Sequence, residues 1–420
     1  MSAVELILEQ ISRRGPVPLS DVLEIGLYHP DVGFYETGGT SGRRDGHFLT
    51  SPEVGPLFGA VVARALDSWW HELGEPDPYL VVEAGAGPGT LARGVLAAQP
   101  ECATSLRYVL VERSAAQRRR HAERLPLELP ALVLPPIDVD TEQPVPEAPP
   151  GPLCTSLAEL PRVPGTTAVV LANELLDNLP FDLAELTADG WYEVRVGRAG
   201  SRQVGGAQIG HGGPAGRGGA GGTDGAGGRP ELLADPGGTG LGDKRLAEVL
   251  VPLDDARTAL VQRLAPDAPV GARVPLQANA RAWLRDALST AGDRGGRVVV
   301  FDYAATTAAL AARPQAEWLR TYRAHAPGSG YLDHLGDQDV TCEVAVDQLA
   351  TVQPPVTDRS QHQWLRDHGL DHLATEAEQA WTERAHVADL AALAARSRVT
   401  EARALADTAG LGAFRVLEWH

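Results

Sequence analysis

The chain has 420 residues, a net charge of −18 and 43% hydrophobic content, enough for one large α/β domain with insertions or for two domains. A field of that sign disfavours nucleic acid and anionic membrane as partners and suits a basic protein or peptide, although a merely solvated acidic surface has the same composition. Cys102, Cys154 and Cys342 are odd in number with no C-x-x-C spacing, which indicates neither a disulfide framework nor a zinc site. Glu5 and Glu9 argue against an N-terminal targeting peptide, and no apolar run approaches the roughly 20 residues of a membrane helix, so a cytoplasmic setting is expected.

In chain order, Val4, Ile7, Leu8 and Ile11 have helical spacing, and Ser20 and Asp21 resemble the cap of a second helix through Leu27. A charged, glycine-rich loop covers about 36–47, and Val54 to Trp70 reads as a long helix. Tyr79-Leu80-Val81-Val82 is a short apolar run of the kind that forms a parallel strand buried on both faces. A glycine turn and a helix over about 89–98 follow. Tyr108 to Val111 reads as a second strand, 114–124 as a helix, Ala131 to Leu134 as a third strand, 141–152 as a connector, and Ala168 to Leu171 as a fourth strand. Phe181 to Leu186 and Trp191 to Val196 read as a hairpin. Residues 197–243 are dominated by glycine and cannot bury enough apolar surface to offset their ordering entropy, so they read as a disordered insertion. Helices are expected over 245–265, 276–290, 314–324, 343–351, 360–368 and 376–406. Arg297 to Phe301 reads as a fifth core strand, and Ala413 to Trp419 as a last one.

Strand, turn and helix alternating at this pitch predict a Rossmann-like α/β core with a mostly parallel, doubly wound sheet. The expected division is an N-terminal helical lid segment (1–75), a first part of the core (76–196), the glycine-rich insertion (197–243), a helical insertion (244–294) and the remainder of the core (295–420).

Glu83-Ala84-Gly85-Ala86-Gly87-Pro88-Gly89 follows the first core strand and opens a helix. Glycines there allow a tight turn and let a ligand touch the main chain. The dinucleotide pattern G-x-G-x-x-G fails at Thr90, which argues against an oxidoreductase. The E-x-G-x-G-x-G form is the usual first motif of methyltransferases that use S-adenosyl-L-methionine. Glu112 ends the second strand about 25 residues beyond the turn, where a carboxylate can accept from both ribose hydroxyls of a nucleoside. The bland alternative is a surface acid paired with Arg113 or Arg118. Asn173-Glu174-Leu175-Leu176-Asp177-Asn178-Leu179-Pro180 follows the fourth strand, at the sheet edge where ligands bind in such folds. Asn173 and Glu174 there are equally the pattern of a helix cap. No metal-ligand spacing is visible.

These residues resemble the MidA-like methyltransferases, relatives of the mitochondrial assembly factor of respiratory complex I. The similarity runs through Leu27-Tyr28-His29-Pro30, Gly33-Phe34-Tyr35, Phe48-Leu49-Thr50-Ser51-Pro52-Glu53, Phe58-Gly59 and Glu83 to Leu91. It continues through Val111-Glu112-Arg113-Ser114, Asn173 to Pro180, Asp302-Tyr303, Tyr322 with His325, Asp339-Val340-Thr341 and Gln361. It implies S-adenosyl-L-methionine as cofactor, an N-terminal segment over the active site, and protein arginine as the acceptor of at least the mitochondrial member. The cofactor contacts so implied are Glu83, Gly85, Ala86, Gly87, Glu112, Asn173, Thr50 and Ser51. The chain departs from the pattern at His47, Gly94 and Ala304, where the family usually has Asp, Asp and Gly, and at His362, where it has Gly.

A guanidinium acceptor is cationic and must shed a proton as it is methylated, so nearby carboxylates would hold it and take the proton. Glu174 and Asp177 are the candidates, with Asn173 between cofactor and acceptor and Glu53 behind them. His325 is a further candidate for the site. The alternatives are an assembly or interaction protein that keeps the cofactor pocket without turnover, and a methyltransferase for a small molecule.

Overall fold

The continuous apolar runs become the strands of one sheet, covered on both faces. In the computed structural model, which describes residues 1–37, 50–134, 149–163, 165–199, 246–323, 326–387 and 389–420, seven strands form the central sheet. They are β1 (Tyr79–Ala84), β2 (Leu106–Val111), β3 (Leu153–Leu157), β4 (Ala168–Asn173), β5 (Arg297–Asp302), β6 (Thr357–Ser360) and β7 (Arg415–Trp419). Their spatial order is β6-β7-β5-β4-β1-β2-β3. Strands β1 to β5 are mutually parallel, and β7 runs antiparallel to both β5 and β6. The strand order therefore reverses between β1 and β4, and the glycine turn leaves β1 at that point.

Helices of seven or more residues are α1 (Ala3–Arg14), α2 (Leu19–Tyr28), α3 (Pro56–Glu72), α4 (Thr90–Ala97), α5 (Ala115–Arg124), α6 (Asp255–Leu264), α7 (Ala278–Ala291), α8 (Gln361–Asp367), α9 (Leu370–Arg384) and α10 (Leu390–Ala406). Because successive strand residues point to opposite faces, Tyr79 and Val81 pack with Phe58, Val61 and Val62 of α3 on one side. Leu80 and Val82 pack with Ala280, Leu284 and Ala287 of α7 on the other. A second, antiparallel sheet joins Val17–Pro18, Gly190–Arg198, Asp182–Thr187, Arg273–Leu276 and Leu246–Pro252. Helices α1 and α2 share a buried cluster with it through Ile7, Val22, Leu183 and Val194.

Several elements differ from the sequence pattern. Pro130–Val133 is a helical turn, not a strand; the third strand is Leu153–Leu157. Helix α2 starts at Leu19 without a side-chain cap of its own, and its first-turn Ser20 N–H donates to Asp182 Oδ1 at 3.0 Å. Residues 244–294, expected to be helical, contain the strands Leu246–Pro252 and Arg273–Leu276 beside α6 and α7, because both edges of the 182–198 hairpin need partners. Within 314–324 only Gln315–Trp318 is helical, and Leu319–Arg323 pairs with Asp339–Cys342. The helix expected over 376–406 is two helices, and Asp389 caps the second by accepting from Ala392 N at 2.8 Å. From residue 200 to 245 the glycine-rich insertion lies outside the described residues, as do His47, His325 and the pair Phe48-Leu49.

Candidate active site

Three glycines carry the turn after β1 in the left-handed region: Gly85 (φ 68°), Gly87 (φ 51°) and Gly89 (φ 80°). A Cβ on Gly85 would stand 2.9 Å from Leu175 Cδ1, so turn and post-β4 segment pack main chain to side chain. A Cβ on Gly87 would meet nothing within 4 Å, because Gly87 faces a cavity of about 970 Å³. That volume stands at the upper end of small-molecule sites, roughly 300–1,000 Å³. Tyr28, Tyr35, Gly85, Gly87, Glu112 and Glu174 line it, together with Gln117, Ala158 and Asn178.

Glu112 stands just beyond β2. One carboxylate oxygen accepts from Gly87 N at 2.9 Å and the other from Ser114 N at 2.8 Å. Burial raises its proton affinity, against the pull of those two N–H groups. Each oxygen keeps acceptor capacity toward the cavity, since a carboxylate offers about four lone-pair sites. Glu83 is placed differently: it is buried, accepts from Tyr108 OH at 2.8 Å and does not line the cavity. Burial pushes its carboxyl up to about 8. Ala86 donates its N–H to Val111 O at 3.0 Å and lies beneath the turn.

The segment after β4 turns sharply at Glu174, a non-glycine residue with φ 51°. Its N–H donates to Phe301 O at 2.8 Å, and its Oε1 accepts from Ser51 N and Asn173 Nδ2, both at 3.2 Å. Burial and then the charge of Asp177 push its carboxyl up to about 8. Asp302, at the end of β5, fixes the same segment by accepting from Leu176 N at 2.9 Å and Asp177 N at 3.3 Å. Burial first, and then Glu174, push Asp302 up to about 8. Asp339 accepts from Tyr35 OH at 2.9 Å and Asn178 Nδ2 at 3.1 Å, and burial pushes it up to about 6. Asp177 is 4% exposed and raised by burial and by Asp302, and its Oδ1 has no hydrogen-bond partner. Asp177 lies under the cavity wall rather than in it. Asn173 Oδ1 and Glu53 Oε2 are likewise buried without a partner. Among the described residues no ion pair neutralises any of these four carboxyls, and no cluster of His, Cys, Asp and Glu suits a metal ion.

Thr50 precedes the short helix Ser51–Val54 at its N-cap position, without a side-chain cap bond, and, like Ser51, does not line the cavity. Ser51 is fully buried, with its Oγ within 2.9 Å of Gln361 Nε2. Gly94 lies at the crossing of α3 and α4, where it faces Gly59. Ala304 pairs with Val344 in a two-residue ladder. Neither lines the cavity. Sequence reasoning attached no chemistry to Tyr28 and Tyr35, yet their rings stack at 5.5 Å in the cavity wall. Tyr28 OH donates to Asn178 O at 3.0 Å, and Arg113 lies 4.6 Å over the Tyr28 ring. The signal was present only as position: both tyrosines stand in the short motifs before residue 36, and in the structure they pack against the cluster of α1 and α2 while also lining the cavity.

The donor set fits an extended nucleoside: an open glycine main chain, a carboxylate 25 positions on, and aromatic faces opposite. A family described as "Putative S-adenosyl-L-methionine-dependent methyltransferase" matches residues 61–358. The chain is 30% identical over 207 residues to the mitochondrial protein arginine methyltransferase NDUFAF7 homolog of Drosophila melanogaster, covering 48% of this chain and 46% of that protein. It is 26% identical over 200 residues to its Homo sapiens counterpart, covering 45% and 44%. The match thus spans less than half the length of these curated relatives. A methyl transferase candidate from Burkholderia thailandensis, solved with bound S-adenosyl-homocysteine, superposes with a TM-score of 0.70 at 21% identity, covering 99% of this chain and 91% of that one. A second structure from the same organism, without that ligand in its description, gives 0.69 at 21% identity, covering 99% and 90%.

Proposed function

We propose that this chain, which belongs to that family of S-adenosyl-L-methionine-dependent methyltransferases, methylates a cationic nitrogen of a basic protein, an arginine guanidinium foremost. The observation that carries the reading is a group of four carboxyls, the half-buried Glu174 in the cavity wall and the buried Asp177, Asp302 and Asp339 behind it, without an ion-pair partner among the described residues, beside the turn that would hold the cofactor. Burying several acids with none paired is costly. A cationic acceptor is the ligand that would relieve it. The relatives named as protein arginine methyltransferases support the same choice.

The bound cofactor supplies a methyl on a positively charged sulfur, displaced in line. The chain does the rest. Gly85, Gly87 and Glu112 hold the nucleoside, with Glu112 on the ribose; Glu83 and Ala86 set the turn from behind. Thr50 and Ser51 serve through the segment that reaches Glu174. Asn173, expected between cofactor and acceptor, does not line the cavity; it donates to Glu174 Oε1 at 3.2 Å and would orient that carboxyl. Glu174, which lines the cavity, would hold the guanidinium and, as the N–CH₃ bond forms and the S–CH₃ bond breaks, take the proton that the nitrogen loses, and Asp177, beneath the wall, would add its negative charge behind Glu174. Without a ligand, a carboxyl pushed up to about 8 holds its proton near neutral pH; a guanidinium cation beside it would favour the ionised form, which can then act as the base. The three cysteines are buried and free, which suits a reducing, cytoplasmic setting. No described helix is long and apolar enough to cross a membrane.

The test is incubation of the purified protein with S-adenosyl-L-methionine carrying a labelled methyl group and a panel of arginine-rich, lysine-rich and neutral proteins. Acid hydrolysis should release labelled methylarginine. Label only in methyl-lysine, only in small molecules, or nowhere would overturn the acceptor.

A further inference from the structure

His121, on α5, is fully buried and sits directly behind the glycine turn. Its Nε2 is 2.7 Å from Gly87 O and its Nδ1 is 2.8 Å from Ser156 Oγ of β3. A carbonyl oxygen only accepts, so Nε2 carries the hydrogen. Ser156, which both donates and accepts, completes the ring's bonding from the other side. Gly87 donates its own N–H to Glu112 at 2.9 Å. Both main-chain polar groups of Gly87, a turn residue that lines the cavity, are therefore tied, in opposite directions, to α5 and to the end of β2.

We propose that His121 is a positioning residue for the cofactor: it anchors the Gly87 carbonyl against the pull of Glu112, and so holds the turn in its ligand-ready shape before the cofactor arrives. Glycine at φ 51° has wide conformational freedom, and a turn left free would lose that freedom on binding. A leucine at 121 would fill the same space against Leu110 and Leu125, both of which line the Gly89 corner with His121. It would leave a buried carbonyl without a donor. Burial first, then the charges of Arg118 and Arg124, hold the imidazole below its ordinary range. The ring is neutral, with its single hydrogen committed to Gly87. The role rests on the cofactor assignment and is independent of the acceptor.

The test is calorimetric titration of S-adenosyl-homocysteine into wild type, His121→Phe and His121→Gln, with thermal unfolding of each free protein. His121→Phe keeps the ring's bulk and lacks the donor; binding should weaken by about tenfold or more. Glutamine presents an amide N–H near the Nε2 position, and should restore affinity to within about threefold of wild type. A purely structural role predicts that both variants lose affinity only in step with their unfolding temperatures. Wild-type affinity in His121→Phe, or equal losses in both variants, would overturn the proposal. If His121→Phe does not fold, His121→Leu carries the same expectation. No binding by the wild type would overturn the cofactor assignment and this role together, whereas binding by wild type and His121→Phe alike would overturn the role alone.

Discussion

Ser51 donates its backbone N–H to Glu174 Oε1 at 3.2 Å, across 123 positions of sequence. The bond ties the N-terminal segment to the turn after β4, and the Ser51 hydroxyl carries the tie on to Gln361 of α8. Three distant parts of the chain therefore meet behind one carboxylate. Glu174 has two separable properties there: an oxygen that accepts a main-chain bond, and an ionisable carboxyl that lines the cavity.

Glu174→Gln separates them. Glutamine keeps an acceptor for Ser51, so the scaffold stays, while the charge and the proton acceptor are lost. Affinity for S-adenosyl-homocysteine should stay within about threefold of wild type, and methyl transfer should fall by more than about tenfold, the usual range for acid–base groups. Turnover equal to wild type would remove Glu174 from the chemistry.

Glu112→Ala should lose more than a contact to the ligand. It removes the acceptor of Gly87 N and of Ser114 N, so the turn loses one of its anchors as well as the proposed ribose contact. Calorimetry should show binding weaker by at least about tenfold, and Glu112→Gln, which keeps one acceptor oxygen, should fall between the two. Undiminished binding by Glu112→Ala would move the nucleoside elsewhere.

The buried acids set a pH dependence whose sign follows from their shifts. Glu174 and Asp302 are pushed up to about 8 and Asp339 to about 6, above the roughly 4 of an unfolded carboxylate. The folded state therefore holds extra protons, and the stability they bring is complete below about pH 4 and is lost as pH rises through 6 and 8. The free protein should lose roughly 2–5 °C in Tm between pH 5.5 and 8.5. Asp177→Asn removes one of the raised acids and the charge that lifts Glu174, and should flatten that slope. A Tm that rises with pH in wild type, or an unchanged slope in the variant, would contradict the assignment.

The strands β1, β2, β4 and β5 and the glycine turn were legible in the sequence for a physical reason. Strands covered on both faces need unbroken apolar runs, and three left-handed positions need glycine. Strand β3 was not, because Leu153-Cys154-Thr155-Ser156-Leu157 mixes polar residues at the edge of the sheet, while the apolar Ala131-Leu132-Val133 made a single helical turn instead. Leu246–Pro252 reads as a strand only once its partner, Gly190–Arg198, is known. Glu112 and Glu174 stood out by position after a strand. Asp302 and Asp339 stood out only as parts of short motifs in the resemblance, with no role attached, since what joins them to the segment after β4 is a fold that brings Asp302 to Leu176 and Asp339 to Asn178 across 126 and 161 positions.

The departure from the family pattern at Gly94 belongs to packing and not to the site. Helices α3 and α4 cross with Gly59 against Gly94: a Cβ on Gly59 would lie 2.6 Å from Gly94 C, and a Cβ on Gly94 would lie 3.2 Å from Gly59 Cα. The first contact is with main chain and cannot be relieved by a rotamer change. Gly59→Ala should therefore cost about 1–3 kcal/mol, read as a lower Tm or denaturant midpoint, and Gly94→Ala should cost less. Gly94→Asp, which restores the residue common in the family, should cost at least as much as Gly59→Ala here, because it drives a carboxyl into a crossing built for two glycines. Neither glycine lines the cavity, so affinity for S-adenosyl-homocysteine should be unchanged in whatever fraction of each variant is folded. A Gly94→Asp protein as stable as wild type would show that the helices separate at little cost, and the close crossing would then not be what keeps glycine at 94.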